Sequence, residues 1–328
     1  MQKLINRPAD AVNESLEGIE LAHRNLLRVN YTPRYVYRAD APVHEKVAIV
    51  SGSGSGHEPL NIGYVGIGML DAACPGDVFT SPTPLQYLAA TKAVDSGQGV
   101  IYIVKNHAGG VLNMQMATEM AEEEEILIRS VLVNDDVAVD DITRRRGLGA
   151  AVFVEKIAGA AAENRQPIDE VVTVAQRASE QTRSMGVALT SCISPNVGYP
   201  TFDLPHGEIE LGVGIHGERG RDRLPMTDAD EIVEMLLQPI VEDLNLRAGE
   251  PVLVMVTGLG STPQQELYIV YRHVHQVLEA QGVLIEQQLI GNYITSLEMA
   301  GCAVTLMRLD PELLALWNAP VHTPTLWW

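Results

Sequence analysis

The strongest constraint on this chain is a design used twice: a short apolar run that empties into a glycine-rich turn. Val47-Ala48-Ile49-Val50 leads into Ser51-Gly52-Ser53-Gly54-Ser55-Gly56-His57-Glu58-Pro59, and Pro251-Val252-Leu253-Val254-Met255-Val256-Thr257 leads into Gly258-Leu259-Gly260-Ser261-Thr262-Pro263. An unbroken apolar run this short reads as a strand buried on both faces, as in a sheet covered by helices. In such folds, ligands bind in the loops at the carboxyl ends of strands. The loops after Val50, Val104 and Thr257 are all of this kind.

Helix and strand patterns alternate along the whole chain. Helices are predicted over Ala11–Ala22, Pro84–Val94, Met114–Glu124, Gly149–Ala162, Asp228–Leu237 and Gln264–Ala280. A further helix, Ile168–Met185, is long enough to bridge two domains. Pro239 is expected to end or kink the helix it follows. Strands are predicted at Val47–Val50, Gly99–Lys105, Ile126–Val133, Gly186–Thr190, Ile209–Val213, Pro251–Thr257, Val283–Gln288 and Cys302–Leu306. The alternation predicts α/β architecture in two domains, each a largely parallel or mixed sheet flanked by helices. The boundary is expected near residue 185, giving 1–185 with the His57 loop and 186–328 with His216. A chain of 328 residues suits two domains.

Composition excludes several function classes. The net charge of −19 opposes direct nucleic-acid binding, because Arg144-Arg145-Arg146 is the only dense basic cluster. No apolar run reaches the ~20 residues that cross a bilayer, and the first residues lack an apolar signal core. Cys74, Cys192 and Cys302 are scattered, which fits a reducing cytoplasm rather than a disulfide framework.

Two histidines stand in glycine frames: His57 after Ser51–Gly56, and His216 within Gly212-Val213-Gly214-Ile215-His216-Gly217-Glu218. Glycine lets a backbone pass close to a ligand and adopt positive φ. Together they suggest a pocket for a small polar metabolite. The first loop is neither a Walker loop, since it lacks the terminal lysine, nor a Gly-x-Gly-x-x-Gly fingerprint. Its Gly-Ser-Gly-Ser-Gly letters match a serine-hydrolase elbow only through low complexity, which leaves hydrolysis through Ser53 or Ser55 as a distant alternative. No HExxH, calcium loop or cysteine pair occurs, so no metal site is expected.

Longer stretches carry a family resemblance. They are Lys3-Leu4-Ile5-Asn6, Arg38-Ala39-Asp40-Ala41-Pro42, Ser53 to Pro59, Ala73-Cys74-Pro75-Gly76, Phe79 to Pro84, Asp135 to Val139, Gly212 to Glu218 and Ala319 to Pro324. In this order the chain resembles the K subunit family of dihydroxyacetone kinases. The resemblance implies a homodimer of two-domain α/β chains. It implies that His216 bonds the ketone of dihydroxyacetone as a hemiaminal and that His57 contacts and activates the substrate. It further implies that Gly54, Ser55, Gly56 and Lys105 hold its hydroxyl groups. The nucleotide would sit on a separate L subunit, as ADP in a phosphotransferase relay or as ATP with Mg on a fused L domain. No cofactor is then bound by this chain.

Imidazole chemistry agrees with that implication. With an unperturbed pKa of ~6.5 the ring is mostly neutral at pH 7 and nucleophilic. A ketone forms a hemiaminal and a polyol cannot, so capture selects by chemistry. The chain departs from the family at one place. After Lys105-Asn106 the family reads Tyr-Thr-Gly-Asp, whose aspartate serves as base, whereas this chain reads His107-Ala108-Gly109-Gly110. Gly110 therefore stands in the substrate pocket where a carboxylate is expected. Two readings follow: a kinase subunit with an altered base, in which His107 substitutes, or a non-catalytic ketose sensor that acts through a protein partner such as a transcriptional regulator.

Overall fold

The computed structural model describes residues 2–328. Helices α1 (Ala11–Ala22), α2 (Pro84–Val94), α3 (Ala108–Glu122), α4 (Ala150–Glu163) and α5 (Ile168–Glu180) accompany strands β1 (Leu27–Tyr31), β2 (Arg34–Arg38), β3 (Ala48–Ser55), β4 (Ala72–Val78), β5 (Val100–Lys105) and β6 (Ile128–Val133). The second half holds β7 (Thr182–Ala188), β8 (Glu208–Leu211), β9 (Asp222–Pro225), α6 (Ala229–Leu244), β10 (Pro251–Gly258), α7 (Gln264–Ala280), β11 (Leu284–Gly291), β12 (Gly301–Arg308) and α8 (Pro311–Asn318). They form two domains, each with a six-stranded mixed sheet, in the orders β1-β2-β4-β3-β5-β6 and β11-β10-β12-β7-β8-β9.

The first sheet is parallel across β4, β3, β5 and β6 and antiparallel at its β1–β2 edge. The second is parallel only between β10 and β11. Its other pairings are antiparallel, so the alternation of elements overstates its parallel character.

Three local expectations change. The helix expected over Ile168–Met185 ends at Glu180, and the chain turns at once into β7. Every β7 residue except Arg183 is buried, and β7 pairs with both β12 and β8. That sheet pairing overrides the helical periodicity, and residue 185 lies inside the strand. Pro239 does not end its helix: α6 continues to Leu244. Burial of Ile232, Val233, Leu236, Leu237, Ile240 and Leu244 on one face outweighs the ~3 kcal/mol a helical proline costs. The first glycine run is not a turn after Val50 but the second half of β3, followed by a short 3₁₀ turn at Ile62–Tyr64 instead of a helix.

Helix α4 is the axis of the molecule. All residues from Ala150 to Ala162 are buried. It packs on β3 and β5 of one sheet and on β7 and β12 of the other. Alanines keep it thin, and one core runs through it, from Ile49 and Ile103 to Met255 and Met307. Gly159 marks its tightest approach: a Cβ there would lie 2.4 Å from Met69 Cα. In an open helix, glycine to alanine gains ~1 kcal/mol. Here we expect Gly159→Ala to lower stability by ~1–3 kcal/mol through overpacking. Chemical denaturation checks this; an unchanged or raised midpoint would show that the seam can yield.

Candidate active site

The site forms where β3 and β5 end against the turn that follows β8. A cavity of about 170 Å³ is lined by residues from both domains, among them Gly54, Phe79, Lys105, His107, Gly110 and His216. Gly52 and Gly54 border it because neighbouring chain leaves no room for side chains. A Cβ on Gly54 would fall 2.5 Å from Thr80 N, and one on Gly52 would fall 2.8 Å from Cys74 O. The close approach that glycine permits here is to protein backbone as well as to the cavity. Gly56, at φ +102, turns the strand so that His57 points inward.

His57 is fully buried. Its Nδ1 lies 2.8 Å from the Thr295 carbonyl oxygen, which can only accept, so Nδ1 carries the proton. Nε2 is then a lone pair, and it has no partner within the protein. Burial, reinforced by the nearby His216, pushes the His57 pKa well below the usual imidazole range. The segment that supplies Thr295 is tied to this strand end by Leu297 N donating to Gly56 O at 2.7 Å. The second glycine loop, after β10, packs behind that segment: a Cβ on Gly260 would meet Leu297 O at 1.8 Å. It braces the site without lining the cavity.

His216 is oriented by Glu218. The carboxylate accepts from the His216 backbone N at 2.9 Å and from its ring Nδ1 at 2.8 Å. Burial is the largest single influence on Glu218 and raises its pKa, but the His216 hydrogen bond together with the charges of His216 and His107 outweighs it and holds the carboxyl well below its usual range. In the neutral ring, with Nδ1 donating to Glu218, the lone pair is on Nε2. The rings of His57 and His216 meet edge to face, 4.6 Å apart. Phe79 stacks on His57 at 5.0 Å. Phe79 holds φ +56, a sparsely populated conformation for an aromatic residue, and such strain clusters at functional sites.

His107 ends the turn between β5 and α3 and stands edge-on to His216 at 4.7 Å. Burial, aided by His216, pushes its pKa down to about 3. Its Nε2 also lacks a protein partner. Lys105 closes β5 and is buried, its ammonium unpartnered. Burial lowers its pKa, while Glu155 and Asp135 oppose the shift. Gly110 lies in the first turn of α3, on the cavity wall.

Of the residues singled out from sequence, His216, Lys105, Gly54 and Gly110 line the cavity together, while His57 packs against His216 and Phe79 and is not among the lining residues. Ser55 and Gly56 do not line this cavity. The Ser55 hydroxyl donates to Gly76 O at 2.7 Å, and Gly56 N donates to the Glu58 carboxylate at 2.9 Å. Ser53 does line it, but its hydroxyl donates to Asn61 Oδ1 at 2.7 Å rather than to an imidazole. Neither serine is thus paired with a base, as a hydrolase would require. Phe79, Ser81 and Thr295 were not recognisable beforehand as site residues. The signal for Glu218 was its place two residues after a glycine-framed histidine. His107, His216 and Glu218 bring one ligand-capable atom each within 4.8 Å of one another, a grouping no local spacing reveals.

Two α/β domains that meet at a small polar cavity, with His107 and His216 on its wall and His57 packed against His216, define a small-metabolite-binding protein. Residues 17–325 match the model of the Dak1 domain, and the chain belongs to that family. A similar protein is the dihydroxyacetone-binding subunit DhaK of the PEP-dependent dihydroxyacetone kinase of Escherichia coli (strain K12), 42% identical over 100% of this chain and 99% of that one. The L-erythrulose kinase of Pectobacterium atrosepticum is 36% identical over 99% of this chain but only 56% of its own length. Among solved structures, the dihydroxyacetone kinase operon co-activator Dha-DhaQ matches with a TM-score of 0.90 at 33% identity, covering 95% of this chain and 97% of that one. The dihydroxyacetone kinase of C. freundii matches with a TM-score of 0.91 at 32% identity, over 99% of this chain and 60% of that one.

The buried histidines make stability pH-dependent. An unfolded imidazole takes up a proton near pH 6.5, whereas folded His107 does so only near 3. Protons therefore bind preferentially to the unfolded chain, so this contribution is complete above about pH 6.5 and is lost as pH falls toward 3. Each such ring adds a slope of up to about 1.4 kcal/mol per pH unit within that window. We expect His107→Gln to flatten the decline of Tm between pH 6.5 and 4. An unaltered slope would show that the ring is already charged in the fold.

Proposed function

We propose that this chain is the ketone-binding subunit of a dihydroxyacetone kinase and captures its substrate covalently on Nε2 of His216. The supporting observation is a shared tautomer: Glu218 accepts a hydrogen bond from Nδ1–H of His216, and the Thr295 carbonyl accepts one from Nδ1–H of His57. Both Nε2 atoms then carry lone pairs. Nε2 of His216 adds to the carbonyl carbon, and the π pair moves to oxygen. A proton reaches that oxygen while the Nδ1 proton leaves through solvent, so the addition has no leaving group. The hemiaminal hydroxyl can donate to Nε2 of His57. Lys105 donates to a terminal hydroxyl.

In this reading the chain pairs as a homodimer in the cytoplasm and presents the captured triose to a nucleotide-bearing L subunit. Among the described residues, no helix is long and apolar enough to cross a membrane. Transfer forms an O–P bond as the donor's P–O bond breaks, and the attacking hydroxyl must lose its proton. Gly110 offers no acceptor. His107 is near, but a group with a pKa of about 3 is a weak base. That deficit favours a second reading, in which the chain binds the ketone and reports it to a partner protein; one similar protein is named an operon co-activator.

Two experiments test these readings. Intact-mass spectrometry with dihydroxyacetone should show an adduct on the unaltered protein and none on His216→Ala; an adduct on the variant would remove the capture mechanism. For the base, a Cβ at Gly110 would meet nothing closer than 3.8 Å, so an aspartate fits. With an active L subunit and a phosphoryl source, Gly110→Asp should raise turnover by ~10²–10⁴-fold, the usual worth of a general base. No gain would favour the binding-and-reporting reading.

A further inference from the structure

A second set of donor atoms lies on the Nδ1 side of the His216 ring. Glu218 is not among the residues that line the cavity. Its Oε1 stands 2.8 Å from Nδ1 of His216 and 3.7 Å from Nδ1 of His107. Among the described residues, His107, His216 and Glu218 are the one trio of His, Cys, Asp or Glu side chains whose ligand-capable atoms gather within 4.8 Å. His107 comes from the turn after β5, and the other two come from the turn after β8. Only the folded chain assembles them, so no sequence spacing announces the trio. All three side chains keep some exposure, from 18% at His107 to 33% at Glu218, which gives an ion a way in from solvent.

The spacings suit a bridging ion. At 3.7 Å, His107 and Glu218 are too far apart for a hydrogen bond. The His107 ring is thus held beside a carboxylate without bonding it, and its Nε2 has no partner within the protein. Two donors that each sit ~2.0–2.1 Å from a tetrahedral ion stand ~3.3 Å apart. The wider pair would close by about 0.4 Å and the narrower pair would open by about 0.5 Å to reach that separation. Glu218 is also braced as a ligand. Its other oxygen, Oε2, accepts from the His216 backbone N at 2.9 Å, the kind of contact that fixes a ligating carboxylate.

We propose that His107, His216 and Glu218 form a binding site for a divalent transition ion such as Zn2+. Two imidazoles and one carboxylate suit Zn2+ or Co2+ and leave the fourth position to water, whereas Mg2+ and Ca2+ take oxygen ligands. Binding to the neutral ring of His216 requires no net proton release. The Nδ1 proton moves through solvent to Nε2, and the ion takes the lone pair left on Nδ1. Nε2 then carries a hydrogen and has no lone pair to add to a carbonyl carbon. Ion and captured ketone therefore exclude each other, and the metal is an off-switch for capture. The site itself does not depend on the capture reading; the exclusion rests on it.

The test uses the full chain, freed of metal with a chelator. Calorimetry should show one Zn2+ bound per chain, weakened at least 10-fold by His107→Gln and by Glu218→Gln, with circular dichroism showing that each variant is folded. His273→Gln, on α7, should leave the affinity within twofold. Co2+ gives a readout that needs no variant: the unaltered protein should develop the visible absorption of a four-coordinate nitrogen–oxygen site, which one equivalent of Zn2+ removes. By intact-mass spectrometry, one equivalent of Zn2+ should suppress the dihydroxyacetone adduct and EDTA should restore it. No saturable binding at one ion per chain overturns the site, as does an affinity that both ligand variants leave within twofold. An adduct that forms equally well with Zn2+ bound overturns the exclusion and leaves the site. No adduct on the metal-free protein removes the capture reading and the exclusion with it, while Zn2+ binding lost in His107→Gln still upholds the site.

Discussion

The site depends on one interaction, the carboxylate of Glu218 against Nδ1 of His216. A free imidazole exchanges its proton between two nitrogens, and only the unprotonated one is a nucleophile. Glu218 ends that ambiguity by accepting from both the ring and the backbone of the same residue. The glycine frame exists for this contact. A Cβ on Gly214 would stand 2.2 Å from Glu218 Oε2. Gly212 and Gly217 hold φ of +78 and +80, so the chain can curl the carboxylate back beneath the ring. A histidine framed by glycine is here a histidine whose proton has been placed.

His57 shows the same logic with a neutral acceptor. A carbonyl oxygen accepts the hydrogen bond from its Nδ1–H, and no carboxylate contacts it. With full burial this keeps the ring uncharged. His57 therefore presents a lone pair instead of a cationic ring beside His216. The two rings belong to different domains, so their 4.6 Å separation relies on the relative placement of the sheets. Helix α4 fixes that placement by being buried along its length between them. The alanine-rich helix and the histidine pair are thus linked: a thin spacer sets the distance between the two rings.

How far the sequence could be read follows from which forces are local. Buried strands such as β5 and β10 were legible because an apolar run needs no partner to announce itself. The two histidines were legible because glycine on both sides is costly without a reason. The α5–β7 turn was not, since the helical period continues past Glu180 and only pairing with β12 makes Thr182–Ala188 a strand. Strands β1 and β2 are five residues each with mixed burial, and the apolar–polar alternation of Leu27–Tyr31 is too short to stand out. Thr295 could not be found because its contribution is a backbone carbonyl, which any residue supplies. Phe79 could not be found because its role lies in an unusual backbone conformation.

Position 110 shows why a single departure must be read with its surroundings. A general base lost from an otherwise unchanged pocket would leave Lys105 buried with only distant carboxylates for company. A buried donor without a partner costs ~1–3 kcal/mol, more when charged. In this fold Lys105 Nζ, His57 Nε2 and His107 Nε2 all lack partners within the protein and are close enough to perturb one another's charge. Persistence of such a group makes sense when the ligand's oxygens supply what the protein withholds. The same atoms that weaken the apo fold are then those that give a small polar ligand its affinity. The trade is confined to the cavity because α4 and the two sheets carry the stability elsewhere.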